Sequence, residues 1–502
     1  MKNILEYLEH TQRTYPDKIA VDDGNLQISW KELTDMAKRM GTAFERQAPK
    51  GSPVVILMEK SAVVLAAMLG TVYAGCFYVM IDPGQPSERT KKIFETLKPG
   101  LVVGDENTKE RMAEIGEKVP VCLLEEALKI AADEEKLSKI RAESKETDLL
   151  YGLFTSGSTG NPKGVVVSHQ AVIRFIGHFT DIFGIHAEDR LGNQAPFDFD
   201  VSVKDIYSCI LTGATLVLIP KAYFSIPAKL VDLLCEQKVT VLVWAVSALC
   251  LISSLKGLEY RIPERVRMIM FSGEVMPGKQ LRLWQEALPD TEFINLYGPT
   301  EITCNCTYYK LQGKWDMREK LPIGQAFPGR EVFLSDETGK RITEPGHTGE
   351  ICVAGESLSD GYYNNEAETR KRFCMEPDQD GKERRCYHTG DLGYFGEDGQ
   401  LFFAGRKDFQ IKHMGHRIEL EEIERWLEQV RGVERSCCVL DQERKRLAAF
   451  YTGTIKPCEV RTGLKQKVPS YMVPGKIVQV AAMPLNKNGK TDRSYFQKKL
   501  EV

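Results

Sequence analysis

The chain has 502 residues, 42% of them hydrophobic, and a formal net charge of −3. Because that length exceeds what one compact core holds, we expect two or more domains. The balanced charge argues against nucleic acid as the main partner, since such proteins carry a basic surplus. The 13 cysteines form no CxxC pair, and their spacing does not match a zinc site. With no secretion signal at the N-terminus, the cysteines predict reduced thiols and a cytoplasmic protein.

Strands and helices alternate over the first part of the chain. Apolar periodicity predicts a first helix, a turn between two short strands, and then helices and strands in turn. The predicted elements are a helix over 4–12, strands at 19–21 and near Ile28, a helix through 33–44, a strand at 54–58, a helix over 63–73 and strands at 76–81, 101–103 and 121–123. This alternation indicates an α/β fold with helix-covered parallel sheets.

This region contains one long uncharged segment, and a highly charged segment follows it. Ser61–Ile81 carries no charge and is long enough to span a bilayer. Gly75 and the β-formers that follow it predict a buried helix and a strand instead. The charged stretch from Glu134 to Glu146 is interpreted as a solvated linker.

A glycine- and hydroxyl-rich loop lies between two strand-like apolar runs, 149–154 and 165–167. Its sequence is TSGSTGNPKG, residues 155–164. Glycines let backbone N–H groups approach a ligand, hydroxyls add donors, and Lys163 adds a positive charge. These groups are typical of a loop that holds a polyphosphate. It is not a Walker A loop, because Gly-Lys-Ser/Thr is absent and the loop joins two strands.

Polar segments also follow the later predicted strands. PFDFDVSV (196–203) precedes a helix ending near Gly213, and strands are predicted at 215–219 and 239–243. The strand 268–271 runs into Ser-Gly-Glu, and the strand 293–296 ends in YGPTE (297–301). In open α/β sheets ligands bind outside the carboxyl ends of strands, so these ends are candidate site positions.

The composition changes in the last third of the chain. From Gly349 the sequence is rich in glycine and in residues that favour β-strands, and it contains YHTGDLG at 387–393. This composition predicts a small β subdomain. After GRKDFQ (405–410) the pattern indicates a separate α+β module. This module has a predicted helix Leu420–Val430, a hairpin of strands 437–440 and 447–451, and an exposed loop PLNKNGKTDR (484–493).

Five segments of the chain resemble the signature segments of the adenylate-forming enzymes. They are TSGSTGNPKG, YGPTE, YHTGDLG, GHRIELEEIE and PLNKNGKTDR. This family contains acyl-CoA synthetases, luciferases and the amino-acid-activating domains of nonribosomal peptide synthetases. Within it, stand-alone D-alanine–carrier protein ligases are similar in length, in FSGEVMP and in lacking a fused carrier domain. The resemblance implies a large adenylation domain, residues 1–407, and a small mobile domain with the catalytic lysine, residues 408–502.

The resemblance also implies roles for residues that contact the nucleotide. Tyr297 would stack on adenine, Asn295 would contact its polar edge, and Glu301 would bind Mg²⁺. Asp391 and Arg406 would hold the ribose, while Thr300 and Lys490 would act on the reacting phosphate and carboxylate. The implied ATP-binding set is Thr155, Ser156, Gly157, Ser158, Thr159, Gly160, Lys163, Asn295, Tyr297, Thr300, Asp391, Arg406 and Lys490. Asp408 would be the domain hinge, and Gly415 would line the path of a phosphopantetheine arm.

For the substrate, the FDxSV register selects Asp200 over Asp198 as the partner of an α-ammonium group. The implied amino-acid pocket is Asp200, Val201, Lys204, Trp244, Met270, Ser272, Gly273, Leu296, Cys304 and Asn305. Its bulk points to a small side chain, with D-alanine first, serine next and an acidic amino acid third. Lys204 departs from these patterns, and it either snorkels out of the pocket or neutralises an acidic substrate side chain.

The resulting hypothesis is an amino acid–carrier protein ligase that uses ATP and Mg²⁺. It would load a separate phosphopantetheinylated carrier protein, with no nucleic acid partner and no membrane insertion. The alternatives are an acyl- or aryl-CoA ligase of the same family, an adenylating enzyme for an acidic amino acid, and a catalytically inactive binding module.

Overall fold

The computed structural model describes residues 2–115, 119–157, 161–377, 380–441, 444–485 and 491–500. The chain divides into two compact units. The first unit comprises Met1–Asp82, Pro99–Leu153 and Val165–Lys407. The second comprises Pro83–Lys98, Phe154–Gly164 and Asp408–Val502. The glycine-rich loop and one earlier helix therefore belong to the same unit as the C-terminal residues.

The strands follow one another along both units. In chain order they are β1 (Ile19–Asp22), β2 (Gln27–Ser29), β3 (Pro53–Ile56), β4 (Phe77–Met80), β5 (Leu101–Gly104), β6 (Val121–Leu123), β7 (Leu149–Thr155), β8 (Lys163–Ser168), β9 (Arg190–Asn193), β10 (Thr215–Leu218), β11 (Val241–Ala245), β12 (Met268–Ser272), β13 (Glu292–Tyr297), β14 (Thr307–Lys310), β15 (Gln325–Ala326), β16 (Arg330–Ser335), β17 (Arg341–Ile342), β18 (Gly349–Gly355), β19 (Gly361–Tyr362), β20 (Phe373–Pro377), β21 (Glu383–Phe395), β22 (Leu401–Arg406), β23 (Gln410–His413), β24 (His416–Glu419), β25 (Val433–Asp441), β26 (Arg446–Gly453) and β27 (Lys476–Gln479).

The α-helices alternate with these strands. They are α1 (Leu5–Thr14), α2 (Trp30–Glu45), α3 (Ala62–Tyr73), α4 (Ser87–Leu97), α5 (Lys109–Ile115), α6 (Leu124–Ala127), α7 (Glu134–Glu143), α8 (His169–Phe183), α9 (Val201–Thr212), α10 (Pro227–Glu236), α11 (Val246–Ser254), α12 (Gly257–Tyr260), α13 (Gly278–Ala287), α14 (Glu366–Arg372), α15 (Leu420–Glu428), α16 (Pro457–Lys465) and α17 (Arg493–Leu500). Short 3₁₀ turns lie at Lys221–Ser225, Thr300–Ile302 and Ser470–Met472.

The largest sheet of the first unit has its strands in the order β15-β14-β13-β12-β11-β9-β10-β1-β2. From β13 to β1 the neighbouring strands run parallel. Strands β10, β11 and β12 are buried along their whole length, as expected for a parallel sheet covered by helices on both faces. The carboxyl ends of these strands therefore share one edge, which confirms the predicted α/β architecture.

A second sheet of the first unit has the order β19-β8-β7-β4-β3-β5-β6. Strands β3 to β7 pair in parallel, and the loop after β7 leads into β8 as predicted. A third, antiparallel sheet has the order β17-β16-β18-β21-β20, with β22 paired to β21. This is the predicted β subdomain, and it begins at Arg330, ahead of Gly349.

Helices α2 and α3 pack closely through two glycines. A Cβ atom added at Gly70 would lie 2.8 Å from the Met40 Cβ and 3.0 Å from the Ala37 carbonyl oxygen. Gly41 approaches α3 in the same way, with a Cβ only 2.6 Å from that of Tyr73. Any side chain at these positions would therefore push two buried helices apart.

We expect Gly70→Ala to lower the free energy of unfolding by about 1–3 kcal/mol, the usual effect of overpacking a core. Gly177→Ala is the matched control, because a Cβ on that glycine of α8 meets nothing within 4 Å. The control should be neutral or slightly stabilising, since alanine is the better helix former. Chemical denaturation of the three proteins measures the difference, and equal midpoints would contradict the tight packing.

In the second unit, α15 packs its apolar face against the sheet β25-β26-β27. The predicted helix and hairpin are both present, and β27 adds a parallel strand. Strands β23 and β24 form a hairpin with a two-residue loop. Both loop residues, Met414 and Gly415, have positive φ, +52° and +80°, which is typical of a type I′ turn.

The structure shows which elements the uncharged stretch 61–81 and the charged stretch 134–146 form. The uncharged stretch forms the buried helix α3 and the strand β4, separated by Gly75 at φ +73°. Among the described residues, no helix is long and apolar enough to cross a membrane. The predicted linker is wrong, because it forms α7. Asp133 caps that helix by accepting a hydrogen bond from the Lys136 N–H at 3.0 Å, and Leu137 is buried.

Candidate active site

Three predicted pocket residues lie side by side at the carboxyl edge of the largest sheet. Ser272 is directly opposite Leu296 in the register of β12 and β13. Met270 lies two residues before Ser272, so it points to the same face. All three side chains are almost fully buried. Gly273 follows at φ +95°, and a Cβ there would meet nothing within 4 Å, so the backbone borders open space at this edge.

Trp244 does not belong to this group, and its predicted place in the pocket is wrong. It stands opposite Phe271, on the other face of the sheet from Met270 and Ser272. There it packs against Phe224 and donates a hydrogen bond from Nε1 to the Gly192 carbonyl at 2.7 Å. The residue of β11 on the pocket face is Val243, which is opposite Met270. A shift of one residue along a strand reverses the face.

Asp200 lies at the N-terminal end of α9, directly before Val201. The Thr300 hydroxyl donates a hydrogen bond to its Oδ2 at 2.7 Å, and the Cys304 thiol donates to its backbone carbonyl at 3.3 Å. The structure therefore brings together residues that are a hundred positions apart in sequence. A half-buried carboxylate at a helix N-terminus is well placed to pair with a cation.

Lys204 is 1% exposed, one turn after Asp200 on α9. Its ammonium donates a hydrogen bond to the Asn305 Oδ1 at 2.7 Å. Burial lowers the pKa of Lys204, while Asp200 and Asp205 act in the opposite direction. The snorkelling alternative is wrong, since the side chain does not reach solvent. Lys204 is instead a buried charge among the predicted pocket residues.

Arg330 holds the chain segment that carries Cys304 and Asn305, and sequence reasoning missed it. Its guanidinium donates to the carbonyls of Ile302 at 3.1 Å, Thr303 at 3.2 Å and Asn305. It also lies 4.5 Å from the Phe175 ring centroid. Burial lowers the pKa of Arg330 to about 10.

The segment that Arg330 holds is strained. Thr303 and Cys304 have φ values of +57° and +71°, a region that residues with a Cβ rarely adopt. Such a conformation persists only where its surroundings enforce it. We infer that the three carbonyl contacts of Arg330 enforce it here.

An Arg330→Lys substitution should therefore weaken the pocket, because lysine cannot reproduce a planar fork of donors. We expect a loss of about 1–3 kcal/mol in stability from the orphaned carbonyls. The KM for the amino acid should rise and the KM for ATP should stay near normal. Arg174→Lys is the control, because Arg174 is an exposed arginine paired with Glu356 at 3.2 Å. If both KM values move together, Arg330 has only a general structural role.

Predicted nucleotide residues of the first unit also come together. The Tyr297 hydroxyl donates a hydrogen bond to the Asp391 Oδ2 at 2.6 Å. Arg406 stands opposite Asp391 in the register of β21 and β22 and forms an ion pair with its Oδ1. Asn295 lies on the other face of β13 from Leu296, and its side-chain amide donates to the Pro322 carbonyl at 2.7 Å. Tyr297, Asp391 and Arg406 form one polar cluster.

Glu301 is 1% exposed in the 3₁₀ turn after β13. The Tyr362 hydroxyl donates a hydrogen bond to its Oε1 at 2.7 Å, a contact that the sequence did not reveal. A carboxylate oriented by a neighbouring hydroxyl is a suitable Mg²⁺ ligand, because this ion prefers one or two carboxylates together with phosphate oxygens. The residues present therefore fit the predicted ion.

A buried polar cluster supports the segment that leads to Asp200. The Lys60 ammonium donates to the Asn193 Oδ1 at 2.8 Å and to the carbonyls of Gln194 and Ala195 at 3.0 and 3.3 Å. The Asn193 amide donates to the Asp205 Oδ2 at 2.8 Å. Burial lowers the pKa of Lys60 to about 7 and raises that of Asp205 to about 7. Lys60 thus fixes the course of the chain ahead of the FDFD segment.

The glycine-rich loop belongs to the second unit. The Ser156 hydroxyl donates to the Arg417 carbonyl at 2.6 Å and accepts from the Glu419 N–H at 3.2 Å. The Gly157 N–H donates to the Glu422 Oε2 at 3.2 Å. A Cβ on Gly157 would lie 2.1 Å from the Asn161 carbonyl oxygen, so only glycine fits. The loop N–H thus faces a carboxylate, as an anion-binding loop can.

The structure describes only some of the other predicted site residues of the second unit. Thr155 ends β7, and Lys163 is 7% exposed at the start of β8. Gly415 is a buried turn residue, and Asp408 accepts a hydrogen bond from the Gln410 N–H at 3.2 Å. Ser158, Thr159, Gly160 and Lys490 lie outside the described residues.

A phosphate-type loop between two strands and polar residues at the carboxyl edge of a parallel sheet are typical of a nucleotide-dependent α/β enzyme. A sequence model of the family described as "AMP-binding enzyme" matches residues 8–363. The chain belongs to this family, which confirms the resemblance found in the sequence.

Several named proteins are similar to almost the whole chain. A D-alanine–D-alanyl carrier protein ligase of Bacillus licheniformis is 32% identical over 99% of this chain and 100% of its own length. The protein of that name from Staphylococcus haemolyticus is 30% identical, with 98% of each chain covered. Tyrocidine synthase 1 of Brevibacillus parabrevis is 29% identical over 98% of this chain and 44% of its own length.

Solved structures confirm the fold. The adenylation domain AlmE of Vibrio cholerae, in complex with glycyl-adenosine-5′-phosphate, superposes with a TM-score of 0.87 at 23% identity, covering 99% of this chain and 97% of that chain. The crystal structure of IdnL1 gives a TM-score of 0.80 at 28% identity, covering 96% of this chain and 99% of that chain.

Proposed function

We propose that this enzyme activates a small amino acid with ATP and transfers it to the phosphopantetheine thiol of a separate carrier protein. The observation that carries the proposal is the Asp200 carboxylate. Thr300 holds it by a hydrogen bond, and the predicted pocket residue Cys304 donates to the Asp200 backbone carbonyl. The names of the full-length relatives, D-alanine–D-alanyl carrier protein ligases, support D-alanine as the first candidate.

In the first step, a carboxylate oxygen of the amino acid attacks the α-phosphorus of ATP, and pyrophosphate leaves. Asp200 would pair with the substrate ammonium and so aim the carboxylate. Tyr297, Asp391 and Arg406 would hold the nucleoside end of ATP, and the glycine-rich loop its phosphates. Catalysis of such a step depends on positioning and on neutralising charge as it develops.

Charge neutralisation would come from Mg²⁺ and from two side chains of the proposed site. Mg²⁺ held by Glu301 would supply positive charge to the phosphate oxygens. Lys490 would contact the substrate carboxylate and the α-phosphate, and Thr300 would donate a hydrogen bond to a phosphate oxygen. The Thr300–Asp200 contact therefore links the amino-acid end of the site with the phosphate end.

In the second step, the carrier thiol attacks the acyl carbon of the adenylate, a thioester forms, and AMP leaves. We propose that residues 408–502 act as a mobile domain with Asp408 at the hinge and Gly415 on the path of the pantetheine arm. Hinges of this kind absorb backbone rotation at a few positions.

The substrate class follows from the shape and charge of the pocket. Met270, Leu296 and Val243 fill space on one face of the sheet, which favours a small side chain. Ser272 and Asn305 offer hydrogen bonds, so serine ranks after D-alanine. An acyl- or aryl-CoA ligase is the second candidate function. It is disfavoured because its substrate lacks an ammonium to pair with Asp200, and an uncompensated carboxylate is costly when it is buried.

ATP–pyrophosphate exchange across a panel of acids tests the proposal. The panel contains D- and L-alanine, glycine, L-serine, L-aspartate, L-glutamate, and the keto and hydroxy analogues of alanine. We expect D-alanine to support the fastest exchange and the analogues without an ammonium group to be inactive. Exchange with a keto or hydroxy acid that equals the amino acids would favour the CoA ligase. No exchange with any acid would support an inactive binding module.

Lys204 gives a second test of the substrate class. Its ammonium already lies near Asp200 and Asp205 and donates to Asn305, so we expect alanine and serine to outperform aspartate and glutamate. Lys204→Met should raise the KM for the amino acid about tenfold or more, because Asn305 loses a charged donor. The order of substrates should stay the same.

Lys310→Met is the matched control, because Lys310 also donates to a carbonyl, that of Ile182, at 3.0 Å. It should leave the amino-acid KM unchanged. If the acidic amino acids are preferred and Lys204→Met reverses that order, Lys204 pairs with a substrate carboxylate. The ranking of substrates proposed above would then be wrong.

A further inference from the structure

Glu350, Cys352 and His388 bring three different metal-binding side chains to one point of the antiparallel sheet. Cys352 is opposite His388 in the register of β18 and β21, and Glu350 lies two residues before Cys352. One ligand atom from each residue lies within 4.8 Å of the others. Cys352 is fully buried, while the side chains of Glu350 and His388 are 12% and 20% exposed. A cation could therefore enter from the His388 side.

The distances match a tetrahedral zinc site. The His388 Nδ1 is 3.5 Å from the Cys352 Sγ and 3.5 Å from the Glu350 Oε2. Zinc binds thiolate sulfur at about 2.3 Å and imidazole nitrogen or carboxylate oxygen at about 2.0–2.2 Å. In a tetrahedron such ligand atoms are about 3.3–3.6 Å apart. Both distances from the His388 Nδ1 thus have the required length, and the Cys352 and Glu350 ligand atoms lie within 4.8 Å of each other.

A second carboxylate orients the imidazole. The other ring nitrogen of His388, Nε2, lies 2.6 Å from the Glu376 Oε1. In metal sites a ligating histidine regularly donates its second N–H to a carboxylate, which fixes the ring and its tautomer. Here that contact leaves the Nδ1 facing Cys352 and Glu350. The ring orientation is therefore the one that a metal ligand needs.

The Glu350 carboxylate is also held in place. Its Oε1 accepts a hydrogen bond from the Gly390 N–H at 2.8 Å, and its Oε2 is 3.0 Å from the Lys407 Nζ. Lys407 is exposed and long, so it can withdraw from Oε2 when a cation arrives. With a divalent ion bound, two carboxylates and one thiolate would balance the ion and the Lys407 ammonium.

We propose that Glu350, Cys352 and His388 form a binding site for a thiophilic divalent cation, zinc first. The soft thiolate favours zinc over Mg²⁺, which prefers oxygen ligands. The site is separate from Glu301, the residue proposed for Mg²⁺. His388 lies three residues before Asp391 on β21, so an ion bound to His388 would fix the start of that proposed nucleotide-binding segment.

Titration of the metal-stripped full-length protein with Co²⁺ and Zn²⁺ tests the site. We expect one tight Co²⁺ per chain with a thiolate-to-cobalt charge-transfer band, displaced by Zn²⁺. Cys352→Ser should abolish the band, and His388→Gln should weaken binding strongly. Glu376→Gln should weaken it about 10- to 100-fold, as expected for a residue that orients a ligand. Lys407→Met should tighten binding, because the competing ammonium is gone.

Two controls separate this site from other cysteines and carboxylates. Cys437→Ser removes a buried strand cysteine of the second unit, and Glu331→Gln removes a carboxylate of the same sheet that pairs with Arg341. Both should bind like the wild type. The proposal is overturned if the wild type binds no Co²⁺, or if Cys352→Ser, His388→Gln and Glu376→Gln all bind as it does. Should Cys352→Ser fail to fold, the other two variants decide the result.

Discussion

An Asp200→Ala variant should lose amino-acid-dependent ATP–pyrophosphate exchange by roughly a hundredfold or more, because removing one partner of a charge pair that the bound substrate would bury costs about 3–5 kcal/mol. The structure adds that Thr300 donates a hydrogen bond to this carboxylate. Alanine would therefore also release Thr300, which we propose contacts a phosphate. The alanine variant alone cannot separate the two effects.

Asp200→Asn makes that separation, because the amide oxygen can still accept from Thr300 but carries no charge. We expect Asp200→Asn to raise the KM for the amino acid nearly as much as alanine does, with the KM for ATP close to normal. Asp198→Ala is the control for the neighbouring carboxylate and should retain most activity. Full activity of Asp200→Asn, or a larger loss in Asp198→Ala, would return the choice to Asp198 or to a substrate without an ammonium group.

Local patterns were sufficient for much of the fold. Alternating apolar runs predicted the order of strands and helices, and Gly75 correctly separated α3 from β4. The predicted linker is wrong because Asp133, directly before the charged run, caps a helix there by accepting from the Lys136 N–H. The side-chain hydrogen bond of Asp133 and the buried Leu137 both support α7.

Sequence patterns were not sufficient to assign every residue of the amino-acid pocket. A motif fixes a residue only if the register is right, and in β11 an error of one position exchanged Val243 for Trp244. Residue type could not decide between the two alternatives for Lys204 either. Its burial and its contact with Asn305, 101 residues away, depend on the packing of α9 against the segment after β13.

Other contributors carry no local signal at all. Arg330 acts on carbonyl groups, which every residue has, so nothing in its own sequence marks it as a clamp on residues 302–305. Tyr362 and Lys60 likewise act through partners far along the chain. Residues of this kind are found by following the contacts of a buried polar group, because such a group needs hydrogen-bond partners.

Replacing Lys490 should cause the second large loss of activity, in the adenylation step. Removing its charge in Lys490→Ala takes one positioned donor from the transition state of adenylation, a loss of roughly a hundredfold or more. Thiol capture needs no neutralisation of attacking carboxylate and phosphate. We therefore expect Lys490→Ala to transfer chemically supplied aminoacyl-adenylate to a pantetheine thiol at nearly the wild-type rate. Measuring the two half-reactions separately gives the result directly.

Lys498→Ala is the matched control, because Lys498 is an exposed lysine of α17 close in sequence to Lys490. It should leave both half-reactions unchanged, so a loss specific to Lys490→Ala cannot come from the net charge of this region. The comparison also tests the two-step cycle, since a lysine used in one half-reaction only must act in one state of the enzyme. If Lys490→Ala slows both half-reactions alike, the lysine serves general binding or stability, and the proposal of a mobile domain that changes its role between steps fails for this chain.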